Sequence, residues 1–346
     1  MRKNPGGKSK EIALAARRAV VGAMRRILKG KFREIVLIAV IVIIGAVVRS
    51  IMPSFTSRIN IVNILYGNAV LGIMAMGMMM VLVTGNVDVS AGGQYAVCGM
   101  VVALFVRATG GLYTLPAILI GMATGLVLGL FNGILVSKLR IPAIVVTLGT
   151  LNIMRGTLNL ITSGNWIDGL KGPFSKFANI RLMSLPLAVY IWLFVLLFTY
   201  FLLYRTGMGR DILAVGGNKV AARRIGLNEN KSYLVAFGYM GMLTGLSAAI
   251  ACSKLKIAQP SNGTGYEMQL IAACVIGGTA FSGGIASILG TLLGILLLGV
   301  IDNGLVLSKV PVYWQELTTG VIIILAVASG VLKNFSRRAK GGTRHA

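Results

Sequence analysis

The sequence has few charged residues and very few acidic ones. Of its 346 residues, 12% are charged and 56% are hydrophobic, and only nine are Asp or Glu. A soluble domain carries about 25% charged residues, so this chain has too few of them to cover a surface exposed to water. The composition therefore predicts an integral membrane protein.

Residues that carry chemistry are equally scarce. Cys98, Cys252 and Cys274 stand singly in apolar runs, and no CxxC pair occurs, so neither a disulfide framework nor a zinc site is indicated. The only histidine is His345, and no Ser/His/Asp or Cys/His set can be assembled. The sequence contains no GxxxxGKS or GxxxxGKT motif for a nucleotide. We therefore expect no enzyme activity, cofactor or metal in this chain.

The net charge of +25 is concentrated beside apolar segments. Eleven of the 34 Lys and Arg residues lie in 1–33, six in 205–231 and five after Val331. Basic clusters that flank apolar runs are typical of the cytoplasmic side of a membrane protein, and do not indicate nucleic-acid binding. The basic N-terminal region is too long for a signal peptide, and no convincing cleavage site follows it.

Apolar runs long enough to cross a membrane recur along the chain. A span needs about 20 apolar residues. The predicted spans are 35–52, 67–83, 93–108, 114–137, 142–161, 185–204, 232–253, 268–281, 285–306 and 314–332. A short interfacial helix is predicted at 54–66. Because several of these spans are short and bounded by glycine, nine or eleven spans stay open.

The expected fold is an all-α integral membrane protein of about ten transmembrane helices with glycine-rich breaks. Ten spans place both termini on one side, and the basic clusters mark that side as cytoplasmic. The predicted organisation is a basic cytoplasmic arm at 1–34, a transmembrane domain at 35–332 with a cytoplasmic loop at 205–231, and a basic cytoplasmic tail at 333–346.

Two glycine-rich stretches interrupt the apolar pattern, "TGNVDVSAGG" at 84–93 and "IGGTAFSGG" at 276–284. Both have a glycine five residues before a serine, and their separation of about 190 residues suggests an internal duplication of the kind found in transporters. The alternative is that small residues simply let helices pack closely. Asp88 lies in the first stretch. Asp88 or Ser90 could cap the next helix, or Asp88 could act in a pathway or gate.

Other polar or polarisable residues in the apolar segments have simpler interpretations. Glu267 opens a predicted span and could be a first-turn carboxylate that faces the helix dipole. Asp302 and Asn303 lie inside a span and are less easily explained as caps. The methionines at 74–80 are interpreted as adaptable packing residues, without a metal.

The segment "GGNKVAARRIGLNENKS", residues 216–232, is polar and basic between two apolar spans. It could be an ordinary positive-inside loop. A carrier driven by an ion gradient usually has titratable groups in the membrane, and these are scarce here. A conduit driven by a partner ATPase instead needs a docking surface, which this segment could provide.

Several motifs resemble those of the ribose-type sugar permeases of bacterial ABC importers. "GGNKVAARRIGLNEN" resembles their cytoplasmic coupling loop, and "TGNVDVSAGG" resembles their T-G-G-I-D-L-S-V-G segment. "QPSNGTGYEMQLIAACVIGGTAFSGG" and "IDNGLVLSKVPVYWQ" are similar to two later segments of the family. The matches run in order from about residue 55 to 330. Asn86 departs from the pattern in place of a glycine, as do Ala91, Gly92 and Gly93 in place of V-G-S.

The resemblance implies a permease subunit that imports a monosaccharide or related small sugar across the bacterial inner membrane. The implied partners are a cytoplasmic ATP-binding subunit, an extracytoplasmic sugar-binding protein and a second permease subunit, identical or not. The expected ATPase-coupling residues are Gly217, Asn218, Ala221, Ala222, Arg223, Arg224 and Gly226. The expected residues of a substrate path or gate are Asn86, Asp88, Ser90, Gln94 and Thr279.

Within that family, "LRIPAIVVTLGTLNIMRG" and "SGNWIDGL" most resemble the autoinducer-2 and rhamnose permeases. Ribose and other monosaccharide permeases have similar frames, so the sugar stays open. The alternatives to an ABC permease are a gradient-driven secondary carrier and a membrane scaffold without transport.

Overall fold

The computed structural model describes residues 32–311, 313–315, 317–318, 320–321 and 324. This part of the chain is built almost entirely of helices, which confirms the all-α prediction. The helices are α1 (Phe32–Ile51), α2 (Arg58–Val83), α3 (Ala91–Ala108), α4 (Thr114–Ser137), α5 (Ala143–Thr162), α6 (Phe174–Phe177), α7 (Leu187–Arg205), α8 (Gly207–Gly217), α9 (Lys219–Arg224), α10 (Glu229–Leu255), α11 (Tyr266–Gly277) and α12 (Ile288–Leu307).

Eight helices in the described part of the chain are long and apolar enough to cross a membrane. They are α1, α2, α3, α4, α5, α7, α10 and α12, and each overlaps a predicted span. The predicted span at 268–281 corresponds to α11, which has 12 residues and is too short to cross the membrane alone. Residues 1–31 of the predicted arm, the predicted tail and most of the span at 314–332 lie outside the described residues.

The predicted interfacial helix at 54–66 is wrong. A 3-10 turn at Pro53–Thr56 precedes α2, which then continues without interruption to Val83. The Ser57 side chain caps α2 by accepting a hydrogen bond from the Asn60 backbone N–H. Asn60 and Asn303 exchange two side-chain hydrogen bonds of 2.8 and 3.0 Å. Asn60 is therefore paired inside the protein, whereas Arg58 and Asn63 are exposed.

The centre of the bundle is formed by α2 and α10, the most enclosed of the described spans. Helix α10 crosses α4 at very short distance through glycines. A Cβ added to Gly125 would lie 2.0 Å from the Gly241 carbonyl oxygen, so no larger residue fits this crossing. The methionines at 74–80 are fully buried in α2, in agreement with their interpretation as packing residues.

We call residues 205–231 the polar insert. On the opposite side of the bundle, irregular chain between α5 and α7 covers the helices. A two-residue pair of strands, β1 (Arg181–Leu182) and β2 (Leu185–Pro186), forms an antiparallel hairpin there. A bridge between Ile167 and Ala258 ties this segment to the chain after α10. The side chain of Phe174 in α6 is fully buried and attaches this irregular chain to the bundle.

Candidate coupling surface and transport site

The polar insert contains two short helices, α8 and α9, and each begins at a side-chain cap. Helix α8 begins at the Thr206 cap, and Asn218 separates α8 from α9. The Asn218 side chain accepts a hydrogen bond from the Ala221 backbone N–H at 3.0 Å, and Asn228 caps α10 in the same way through Lys231. Helix α9 is thus held at its start by the side-chain cap of Asn218, as expected of Asn.

The outer face of α9 is exposed and partly apolar. Val220 is 63% exposed and Ile225 is 74% exposed, and Ala221 between them is exposed as well. Arg224 is also exposed, while Arg223 pairs with Glu229 at 2.7 Å. An exposed apolar patch with a basic rim is typical of a surface that contacts a partner.

Ala222 faces the opposite way from Ala221. It is 3% exposed and packs within the chain's own core, so its small side chain does not lie on the exposed face. The sequence predicts that both alanines contact a partner. In the structure, Ala221 lies on the surface, whereas Ala222 packs α9 against the bundle.

Both glycine-rich breaks meet the end of α8. The Gly284 backbone N–H donates a hydrogen bond to the Val83 carbonyl at 2.8 Å. A Cβ added to Gly216 would lie 1.7 Å from that same carbonyl oxygen. Glycine is therefore required where the polar insert touches the breaks. The insert, the first break and the second break form one contiguous contact.

The first break contains a buried hydrogen-bond network around Asp88. The Asp88 carboxylate accepts from the Ser90 backbone N–H at 2.9 Å and from the Ser90 hydroxyl at 2.5 Å. The Gln94 amide donates to its second oxygen at 2.9 Å. The bond to the Ser90 N–H, just before α3, is the local bond expected of an Asp that fixes a helix start.

Asn132 of α4 joins this network and was not predicted. Its amide donates to the Ser90 hydroxyl oxygen at 2.8 Å, and its side chain is fully buried. The only signal in the sequence was a lone amide within the apolar run 114–137. Such a residue is expected to find a polar partner inside a membrane protein.

The second break is held by hydroxyl and arginine contacts. The hydroxyls of Thr279 and Thr291 lie 3.4 Å apart, which links the break to α12. Arg33 at the start of α1 donates to the carbonyl oxygens of Val275 and Ile276 in the last turn of α11. An arginine at a helix C-terminus satisfies free carbonyls and complements the helix dipole. This contact was missed because it joins distant parts of the chain.

The predicted path residues differ in exposure. Asp88, Ser90, Gln94 and Thr279 are buried within the bundle, whereas Asn86 is partly exposed and donates to the Thr84 hydroxyl. The structure thus brings the first-break residues together. Glu267 lies in the first turn of α11, as predicted, beside Gly92 of α3.

The fold and this site define a multi-span membrane protein in which an exposed helix pair contacts two interrupted helical regions. Comparison with known families identifies it further. Residues 60–327 match the family model described as "Branched-chain amino acid transport system / permease component". The chain belongs to this family of membrane permease components.

Individual relatives agree with this assignment. The autoinducer 2 import system permease protein LsrC of Enterobacter sp. (strain 638) is 37% identical over 295 residues, covering 85% of this chain and 83% of the relative. The ribose import permease protein RbsC of Escherichia coli (strain K12) is 38% identical over 279 residues, covering 80% of this chain and 86% of the relative. No solved structure matches the chain.

Proposed function

We propose that this chain is the permease subunit of an ATP-driven importer for a monosaccharide or related small sugar. The observation that carries the proposal is the exposed helix α9, which continues through α8 into direct contact with both glycine-rich breaks. Relatives named for ribose and for autoinducer 2 favour a small hydroxylated substrate over the branched-chain amino acids of the family description.

The proposed partner at α9 is a cytoplasmic ATP-binding subunit. Val220, Ala221 and Ile225 would enter an apolar groove in that subunit, and Arg224 would face an acidic rim. ATP hydrolysis then belongs to the partner chain. Because Gly216 of α8 lies against Val83 without free space, a displacement of α8 must move both breaks.

The proposed membrane is the bacterial inner membrane, with both termini and the insert in the cytoplasm. The basic flanks support this orientation. The opposite side then faces an extracytoplasmic sugar-binding protein. An open groove of about 770 Å³ on that side is lined in part by Lys171, Lys176 and Lys256, which would attract an acidic rim on that partner.

The proposed substrate path lies between two permease subunits, identical or not, and includes residues of the breaks. Asn86, Asp88, Ser90, Gln94 and Thr279 offer amide, carboxylate and hydroxyl groups to a neutral sugar. Four of them are buried, so the breaks would have to move before the sugar could reach them. Selectivity would reside mainly in the binding protein, because the path must also release the sugar.

Reconstitution of the chain with its partner subunits in vesicles tests this function. We expect sugar uptake to require ATP and the binding protein and to continue when an ionophore abolishes ion gradients. Uptake that is lost with the ionophore but not with removal of ATP would identify a gradient-driven carrier. No uptake from a correctly assembled complex under any condition would favour a membrane scaffold.

A further inference from the structure

An open pocket of about 540 Å³ lies where the start of α1, the end of α7 and the start of α12 meet. Because these three spans begin or end there, the pocket lies at a membrane surface, which is the cytoplasmic one in the proposed orientation. We call it the helix-end pocket. Its lining combines charged, aromatic and apolar side chains: Glu34, Tyr200, Tyr204, Arg205, Ala286, Ser287, Ile288 and Leu289.

The carboxylate of Glu34 in this pocket has no partner among the described residues. Its Oε2 atom is buried and accepts no hydrogen bond, and no described lysine or arginine lies within ion-pair distance. The neighbouring Arg33 donates instead to the carbonyl oxygens of Val275 and Ile276. A carboxylate that is partly removed from water without a donor or a compensating charge is costly. Glu34 therefore favours a positively charged donor in the pocket.

A positive charge without a partner lies in the same pocket. Arg205, in the last turn of α7, is exposed and forms neither a hydrogen bond nor an ion pair with any residue that the structure describes. It does not pair with Glu34 either, so the pocket offers one uncompensated charge of each sign. Arginine binds phosphate groups through parallel hydrogen bonds. The pocket therefore suits a ligand that has both a phosphate and an ammonium group.

Aromatic and apolar side chains border the pocket on the membrane side. Tyr200 precedes Arg205 by more than one helical turn and therefore lies deeper, and its ring is 5.3 Å from that of Tyr204. The Tyr204 hydroxyl donates to the Ala286 carbonyl oxygen at 3.0 Å, which joins α7 to the chain before α12. Leu289 in the first turn of α12 is 54% exposed. Tyrosines at this depth are typical of the lipid headgroup region, so the apolar part of a ligand could extend into the bilayer.

We infer that the helix-end pocket binds a phosphatidylethanolamine molecule of the membrane. Its phosphate would accept hydrogen bonds from Arg205, its ammonium group would donate to the Glu34 carboxylate, and its acyl chains would leave the pocket beside Tyr200 and Leu289. A primary ammonium group has three N–H donors. The choline headgroup has none, and the glycerol headgroup lacks the positive charge that Glu34 requires. The ethanolamine headgroup therefore matches the two charges of the pocket.

The bound lipid would connect segments that the proposed transport cycle moves. Ala286 and Ser287 follow the second glycine-rich break, and Arg205 is the first residue of the polar insert. A headgroup held between Glu34 and Arg205 would therefore fix the start of the insert against α1 and the chain after the second break. Binding of the lipid itself does not depend on the sugar or on ATP.

Native mass spectrometry of the purified full-length chain tests the inference. The chain in detergent is titrated with phosphatidylethanolamine, phosphatidylcholine and phosphatidylglycerol that have identical acyl chains. We expect one saturable site per chain that binds phosphatidylethanolamine about tenfold more tightly than phosphatidylcholine, because only the first can donate to Glu34. Glu34→Gln should abolish this preference, and Arg205→Gln should weaken the binding of all three lipids.

Two matched variants serve as controls. Glu229→Gln and Arg210→Gln remove the same kinds of charge from residues near α7 in the chain that do not line the pocket. Both should bind the three lipids like the parent. Thermal unfolding checks that every variant is folded. If Arg205→Gln fails to fold, the loss of preference in Glu34→Gln still decides, because that change keeps the size of the side chain.

The other outcomes would overturn the inference. Equal affinity of the folded parent for phosphatidylethanolamine and phosphatidylcholine would show that the pocket does not recognise the ammonium group. A preference that persists in folded Glu34→Gln would place the lipid elsewhere, and tightest binding of phosphatidylglycerol would indicate a simple basic surface. Soluble phosphoethanolamine that binds as tightly as the lipid would identify a free headgroup compound as the ligand. Because no transport is measured, these results are independent of the proposed function.

Discussion

The backbone N–H of Gly284 donates a hydrogen bond of 2.8 Å to the carbonyl oxygen of Val83. This bond joins the second glycine-rich break to the end of α2, where the first break begins. Gly216, near the end of α8, packs on the same carbonyl. A displacement of the exposed insert would therefore act directly on both glycine-rich breaks.

Gly216→Ala should disrupt this junction. Its Cβ would overlap the Val83 carbonyl oxygen at 1.7 Å, and relief of that overlap must move backbone. We expect a loss of about 1–3 kcal/mol in stability, together with reduced ATP-driven uptake. Thermal unfolding in detergent and uptake by vesicles measure the two effects.

Gly207→Ala, at the start of the same helix, is the matched control for that change. Its added Cβ would meet no atom outside its own turn within 4 Å. We expect this variant to unfold and to transport like the parent. Equal behaviour of the two alanine variants would show that the close approach at Gly216 has no role in stability or coupling.

Two tryptophan substitutions distinguish the exposed face of α9 from its buried face. Ala221→Trp should leave the fold intact and reduce ATP-driven uptake, because the residue is exposed on the proposed docking face. Ala222→Trp should lower stability, because that position is buried in the chain's core. Thermal unfolding of the chain alone and uptake by the complex are compared for both. Full transport by a well-folded Ala221→Trp variant would count against docking at α9.

Substitutions at Asp88 separate a helix cap from a gate. Asp88→Asn keeps an oxygen that can accept from the Ser90 N–H, whereas Asp88→Ala does not. We expect the alanine variant to be less stable than the asparagine variant by about 1 kcal/mol. The ratio of sugar moved to ATP consumed should be unchanged in Asp88→Asn. A fall in that ratio at normal expression would instead assign Asp88 to the gate.

The spans could be predicted because a long apolar run in a membrane has few alternatives to a helix. The start of α2 could not, since Asn60 looks like an interfacial residue until its partner Asn303 is known. The pairing depends on contact between distant segments. A hydropathy pattern contains no information about such contacts.

The candidate site shows the same division between local and distant information. The caps at Asn218 and Asn228 follow from local sequence and are present. The contacts of Gly216 with Val83, and of Asn132 with Ser90, join segments far apart in the chain. The opposite orientations of Ala221 and Ala222 depend on how α9 lies on the bundle, which its six residues do not determine.

Site-specific cross-linking tests the central claim that α9 contacts the ATP-binding subunit. A photoreactive residue replaces Val220 on α9 in one sample and Leu160, at the opposite end of α5, in another; both positions are exposed in this chain. In the assembled importer we expect a cross-link between permease and ATP-binding subunit from position 220 and none from position 160. An assembled, ATP-hydrolysing complex that gives no such product from position 220 would contradict the account.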